Sequence, residues 1–226
     1  TRIKAITLDL DDTLWPIGPT IVRAEESLAT WLAQRAPGAA AVFANPQARL
    51  AMRAQVLQAR PDIGHDLSAL RLESIRAALY QAQEDTTLAE HAFDIFFAER
   101  MRVDLFDDVL PALTALAARY PLLAVSNGNA HVARVGLGEF FAHSLSASDF
   151  GVAKPDPRIF HAAAGLAGVS AAQVLHVGDD ATMDVLGALD AGMQAVWINR
   201  LGHPWGHATQ AHATVTNLTE LVQLLC

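Results

Sequence analysis

The sequence predicts an α/β fold: a parallel sheet of short strands, with a run of helices inserted straight after the first strand. Three observations predict it. The apolar run Ile3–Leu8 stops abruptly at Asp9-Leu10-Asp11-Asp12-Thr13. From Asp104 onward, short apolar runs alternate with helical patterns, as in sheets built by right-handed crossovers. Between about residues 16 and 103 the periodicity is helical, with no convincing strand.

The first strand carries the most information. Strand side chains alternate, so Asp9 and Asp11 leave on the same side. Two ionised carboxylates that close repel, and burying them without compensation is costly. A cation between them, or a shared proton, resolves the conflict. Two carboxylates and a hard cation at a strand's C-terminal end suggest phosphoryl chemistry, because open α/β sheets bind ligands there. The plain alternative is a capped turn.

Beyond Thr13, the cluster Trp15-Pro16-Ile17-Gly18-Pro19 breaks the chain, and Thr20 is placed to cap a helix. Ile21, Ala24, Leu28, Trp31 and Leu32 recur at helical spacing up to Pro37-Gly38. A second helix is predicted from Pro46 to Gln58 and a third from Asp66 to about Gln83. A fourth follows Thr86 or Thr87, with Phe93, Phe96 and Phe97 as core.

In the second half, Asp107 or Asp108 is placed to cap a helix reaching Arg119, and Pro121–Ser126 reads as a strand. Asn127-Gly128-Asn129 follows, then a helix near His131–Val135; such a turn offers backbone N–H groups and a helix dipole to an anion. A weak strand is expected near Leu145, a helix over Pro157–Leu166 and a buried strand over Val174–Val177. Ala181–Ala191 reads as helix, Ala195–Ile198 as strand and Asn217–Leu225 as a closing helix.

Two further clusters sit between these elements. Lys154, one of only two lysines, lies in Val152-Ala153-Lys154-Pro155-Asp156-Pro157, where prolines stiffen the backbone. A lysine is a point charge suited to an anionic oxygen. Gly178-Asp179-Asp180-Ala181-Thr182-Met183-Asp184 supplies three acids after a buried strand: Asp179 as a candidate metal ligand, Asp180 as a helix cap, Asp184 to orient groups behind them.

The formal charge of -8 argues against a nucleic-acid partner. No stretch approaches the roughly 20 apolar residues of a membrane span, and no signal-peptide pattern opens the chain. A single cysteine, Cys226, excludes an internal disulfide and suits a reducing cytoplasm, as an inert thiol. Thr1 in place of Met is what a processed or trimmed N-terminus leaves. Oligomeric state stays open.

Asp9-x-Asp11-x-Thr13, Ser126, Lys154-Pro155 and Gly178-Asp179 with Asp184, in that order, resemble the four motifs of the haloacid dehalogenase-like hydrolase superfamily. The resemblance covers the whole chain. It implies a Rossmann-like parallel sheet with helices on both faces as the catalytic core, residues 1–15 and 104–226. Residues 16–103 would be the superfamily's helical cap. Asp9 would be the nucleophile, forming an aspartyl phosphate, and Asp11 the general acid and base. Mg²⁺ would be held by Asp9, the backbone carbonyl of Asp11 and Asp179, with Asp180 and Asp184 supporting them. Thr13, Ser126, Asn127 and Lys154 would bind the phosphate of a small phosphorylated metabolite. Lys154 would also offset charge on Asp9.

Dehalogenases of this superfamily lack the acid two residues after the nucleophile, because a leaving halide needs no proton. Asp11 therefore favours a phosphatase. A phosphomutase keeps the same residues and stays open, as does an idle relative that binds a metabolite. Pro61-Asp62-Ile63-Gly64-His65-Asp66 with Arg71 and Ser74, together with residues 8–14, 126–130 and 175–180, resembles a bacterial flavin-pathway group. Its members dephosphorylate flavin mononucleotide or the ribitylaminouracil phosphate of riboflavin synthesis. On that resemblance His65, Asp66 and Arg71 face the non-phosphate part of the substrate; capping by Asp66 and a surface role for Arg71 are the alternatives. Trp15 either stacks on a heterocycle or wedges the hinge. His203, His207 and His212 read as a solvated loop rather than a zinc site, and His176 as a satisfied core histidine.

Overall fold

The computed structural model describes residues 2–225; Cys226, read above as an inert thiol, lies outside them. The chain divides into two units. One combines the stretch up to Pro16 with that from Asp104 onward, and the other is Ile17–Val103.

A six-stranded, all-parallel sheet organises the first unit. Its strands are β1 (Ala5–Leu8), β2 (Leu122–Ser126), β3 (His143–Ser146), β4 (Val174–Gly178), β5 (Gln194–Ile198) and β6 (Ala213–Val215). Their order is β3-β2-β1-β4-β5-β6. β1, β2 and β4 are buried along their whole length, which is why the sequence shows unbroken apolar runs there. β6 was absent from the sequence reading: Ala213-Thr214-Val215 is an edge strand too short to show a period.

The second unit holds five α-helices: α1 (Ile17–Ala33), α2 (Pro37–Ala44), α3 (Pro46–Ala59), α4 (Leu67–Gln81) and α5 (Ala89–Arg100). Its core gathers Leu28 and Leu32 of α1, Phe43 of α2, Ile75 and Leu79 of α4 and Phe96 of α5. Phe93 packs against that core, whereas Phe97 stacks on Phe93 with ring centroids 5.3 Å apart. Two sequence expectations change. Thr20 does not cap α1, which starts three residues earlier and buries Thr20. Pro37-Gly38 opens α2 instead of ending a helix, because a proline at the first helical position loses no hydrogen bond. Asn45 and Asp66 do cap, accepting backbone N–H groups at the starts of α3 and α4.

The sheet unit adds α6 (Val109–Ala117), α7 (Ala147–Phe150), α8 (Pro157–Leu166), α9 (Gly187–Asp190) and α10 (Leu218–Leu225). α6 stops short of Arg119, and neither acid caps it through its side chain. The Asp108 carboxylate instead pairs with Arg200 at 3.0 Å and accepts the Leu218 N–H at 2.6 Å, at the start of α10. The expected helix at His131–Val135 is only a turn. Gly136, at a φ of +86°, turns the chain away after the Arg134 and Val135 N–H groups have both donated to the His131 carbonyl. Ala181–Leu186 forms a π-helical turn before α9, with Asp180 capping Thr182 and Met183.

Candidate active site

The chain lays β2 and β3 on one side of β1 and β4 on the other. Ligands of such sheets bind at this switch point, beyond the C-terminal strand ends. Asp9 follows β1, Ser126 ends β2, and Asp179 follows β4. The Asp9 N–H, donating to the Val177 carbonyl at 2.9 Å, extends the β1–β4 ladder into the site.

Lys154 is the centre of the cluster. Its side chain is 2% exposed, and Nζ donates to Asp9 Oδ1 at 2.5 Å, Asp184 Oδ1 at 2.6 Å and the Val125 carbonyl at 2.8 Å. An ammonium has three protons, so these acceptors use all of them. The Asn127 side chain holds the same residue by its backbone: Oδ1 accepts the Lys154 N–H at 2.7 Å and Nδ2 donates to the Lys154 carbonyl at 2.9 Å. Burial would push the lysine pKa down, but Asp184 and Asp9 outweigh it and hold the ammonium charged.

Two acids, Asp9 and Asp184, share this one cation, and a third, Asp179, lies beside them. Burial pushes the Asp9 carboxyl well above the usual range, partly offset by Lys154. Burial, then repulsion from Asp184 and Asp12, raises Asp179 to about 7. Asp184 goes the other way. Burial opposes its charge, yet Lys154 and the His176 bond hold it below the ordinary carboxylate range. Its Oδ1 meets His176 Nε2 at 3.1 Å, and its Oδ2 accepts the Asp180 N–H at 3.0 Å. His176 is a satisfied core residue, with Nδ1 2.8 Å from Thr7 Oγ1 and a pKa depressed chiefly by burial.

Thr13, expected to bind phosphate, is fully buried and donates toward Asp179 Oδ1 at 3.1 Å and Asp9 Oδ2 at 3.4 Å. Ser126 is buried too, its Oγ accepting the Gly128 N–H at 2.9 Å. The anion-binding helix expected beyond Asn129 is absent, so no dipole aids the turn at Ser126. Trp15 is fully buried and donates its indole N–H to Asp11 Oδ1 at 2.8 Å. Asp180 caps the π turn through Oδ1. In the helical unit, Arg71 pairs with Glu25 at 2.6 Å and lies 4.2 Å over the Phe96 ring, and His65 is half-buried beside the Asp66 cap. The loop histidines have separate surroundings: His212 Nδ1 accepts the Ala195 N–H, His207 packs on Trp205, and His203 is exposed.

Two residues, Trp197 and Arg200, went unnoticed in the sequence. Trp197 donates Nε1–H to the Asp179 carbonyl at 2.7 Å. Arg200 donates to the Thr13 carbonyl at 2.9 Å while paired with Asp108. Gly178 leaves room for Asp184: a Cβ there would sit 2.2 Å from the carboxyl carbon. Neither Trp197 nor Arg200 follows a periodic pattern, whereas Gly178 already stood in the Gly178-Asp179 motif.

Among the described residues, the group suited to a metal ion is Asp9, Asp179 and Asp184, with carboxylate oxygens within 4.8 Å of one another. The donor set fits a hard cation. All ligand atoms are oxygens, and the raised Asp9 and Asp179 mark negative charge that one lysine leaves uncompensated. Asp184 already serves Lys154 and His176, so Asp9 and Asp179 are the acids left to hold it.

A family model described as haloacid dehalogenase-like hydrolase matches residues 3–192. The chain is 37% identical to the 5-amino-6-(5-phospho-D-ribitylamino)uracil phosphatase YigB of Escherichia coli, over 99% of this chain and 97% of that protein. It is 31% identical to a phosphoserine phosphatase of Thermus thermophilus, covering 88% of this chain and 89% of the relative. Among solved structures, one described as a 2-haloacid dehalogenase from Pseudomonas syringae superposes with a TM-score of 0.94 at 40% identity, covering 99% of this chain and 98% of that one. By motif order, sheet topology and this match, the chain belongs to the haloacid dehalogenase-like hydrolases.

Proposed function

We propose that the protein is a Mg²⁺-dependent phosphatase of small phosphomonoesters, working through an aspartyl phosphate in a reducing cytoplasm. The observation that carries this reading is Asp11. It follows the nucleophile Asp9 by two residues, in the turn after β1 that carries the Asp9–Lys154 pair. Ester cleavage expels an alkoxide, which needs a proton that a halide does not.

The Asp9 carboxylate attacks phosphorus while Lys154 fixes its Oδ1. The new O–P bond forms as the ester P–O bond breaks, and Asp11 delivers its proton to the departing oxygen. Asp11, now a carboxylate, takes a proton from the water that next attacks phosphorus, which frees Asp9 and phosphate. Bound Mg²⁺, held by Asp9, the Asp11 carbonyl and Asp179, would supply the positive charge that keeps both carboxylates ionised and offsets the phosphate. Monoester hydrolysis is among the slowest uncatalysed reactions, so positioning and charge compensation have most of the barrier to lower.

For the substrate we favour the ribitylaminouracil phosphate named for the Escherichia coli relative, with flavin mononucleotide second. His65 and Arg71 are the candidates for its non-phosphate part. Phosphate release from a panel containing both compounds, with Mg²⁺ or EDTA, tests the reading beside Asp9→Asn. Release that needs Mg²⁺ and vanishes in the variant is expected. A folded protein inert on every ester overturns it. The description of the Pseudomonas syringae structure favours a second reading, halide release from 2-haloacids, and an assay of 2-chloropropionate decides between them.

A further inference from the structure

We infer that Trp15 is a positioning residue for the proton transfer: its indole N–H fixes the Asp11 carboxyl so that one particular oxygen delivers the proton. The inference rests on the phosphatase reading above. Asp11 is half-buried, and the direction its carboxyl faces depends on its hydrogen bonds. Trp15 is placed to hold it. The indole lies fully buried, and Nε1 donates to Asp11 Oδ1 at 2.8 Å.

Backbone contacts fix the distance between the two. Asp11 and Trp15 form a parallel bridge, the Trp15 carbonyl accepts the Asp12 N–H at 2.7 Å, and Asp12 takes a left-handed φ of +59°. The Leu14 N–H donates to the Leu10 carbonyl at 2.8 Å, and the Leu14 carbonyl accepts the Phe106 N–H at 3.1 Å. The turn between the acid and the indole is thus closed inside and tied to the next segment of the sheet unit. An indole N–H is a donor only, so the Asp11 oxygen facing it must act as acceptor. Delivery of the proton then falls to Oδ2, the oxygen turned away from the indole. As the ester P–O bond breaks, that proton passes to the departing alkoxide, and the resulting carboxylate keeps its Oδ1 bond to the indole. In the second half of the cycle Oδ2 takes a proton back from the attacking water.

A purely structural tryptophan predicts a different pattern, and the leaving group separates the two. kcat/KM covers steps up to the first departure, where an alkyl phosphate needs the proton and p-nitrophenyl phosphate scarcely does. General acid catalysis contributes ~10²–10⁴-fold, so misplacing the acid should cost a sizeable part of that. In Trp15→Phe, kcat/KM for an alkyl phosphate is expected to fall about tenfold or more, and that for p-nitrophenyl phosphate less than about threefold. In an Asp11→Asn background, Trp15→Phe should add no further loss on the alkyl ester, since the two act as one unit. Should Trp15→Phe not fold, benzothienylalanine at the same position keeps the ring shape and lacks only the N–H. Equal losses on both esters, no loss, or additive losses in the double variant overturn the positioning role and leave the phosphatase standing. A wild type that releases phosphate from neither ester overturns both.

Discussion

Lys154 sets a single ammonium within bonding distance of two buried carboxyl groups, Asp9 and Asp184, and holds Asp184 ionised. Removing one partner of a buried ion pair costs about 3–5 kcal/mol, because the other charge is left uncompensated. Lys154→Met should therefore lower stability by about that amount in chemical denaturation, and adding Asp184→Asn should restore part of it. Lys154→Arg should rescue neither stability nor activity, since a planar fork of five donors does not match three converging acceptors. The lysine was legible because the chain has so few and this one sits among prolines. Its neighbours were not. Thr7 and His176 are 169 positions apart, and only the register of β1 against β4 makes them partners. Asn127 read as a donor of backbone N–H groups, yet its side-chain amide clamps the lysine backbone. Spacing along a chain reveals neighbours on one element, not pairings across a sheet.

At the scale of elements, the site depends on how strands end. β4 closes on Gly178, and the chain turns so tightly that Asp184 occupies the space a side chain would fill. Gly178→Ala should displace Asp184 from Lys154, costing roughly 1–3 kcal/mol of stability and most of the activity, as melting and turnover would record together. A second junction is Arg200, beyond β5, which links the Thr13 carbonyl to Asp108 and through it to the start of α10. Arg200→Ala leaves a half-buried carboxylate without its partner and should cost roughly 1.5–3 kcal/mol in urea unfolding. Most strands and longer helices were legible, because buried parallel strands and four-residue spacings leave plain patterns. Failures fell on punctuation. Pro37-Gly38 looks the same whether it ends a helix or begins one, and Ala181–Leu186 shows nothing of its π turn, which arises from the Asp180 and Asp184 contacts.

For the molecule as a whole, the opposed acids give a pH dependence of defined sign. Asp9 and Asp179 have raised pKa values, so the metal-free folded protein retains protons that the unfolded chain releases near pH 4. Their stabilising effect is full below that pH and is lost as pH climbs, through about 7 for Asp179. Asp184 is depressed, so its contribution holds above the usual carboxylate range and disappears only in stronger acid. In EDTA the melting temperature should therefore decline from pH 5 to pH 8. Mg²⁺ should reverse this, and at a hundredfold excess over its dissociation constant add about 2.7 kcal/mol. The shift should be larger at pH 8 than at pH 5, where protons compete for the same oxygens; equal shifts at the two values would place the ion elsewhere.

The distance along the chain between Asp9 and Lys154 has a further consequence, in time. A ribosome adds roughly 5–20 residues per second, and 145 positions separate the two. Asp9 is therefore made roughly 7–30 s before the lysine that its carboxyl pairs with. All of Ile17–Val103 is synthesised in that interval, and so is β2, the first strand able to pair with β1. Until β2 emerges β1 has no strand to pair with, and the Asp9–Lys154 pair forms only after residue 154 has been made.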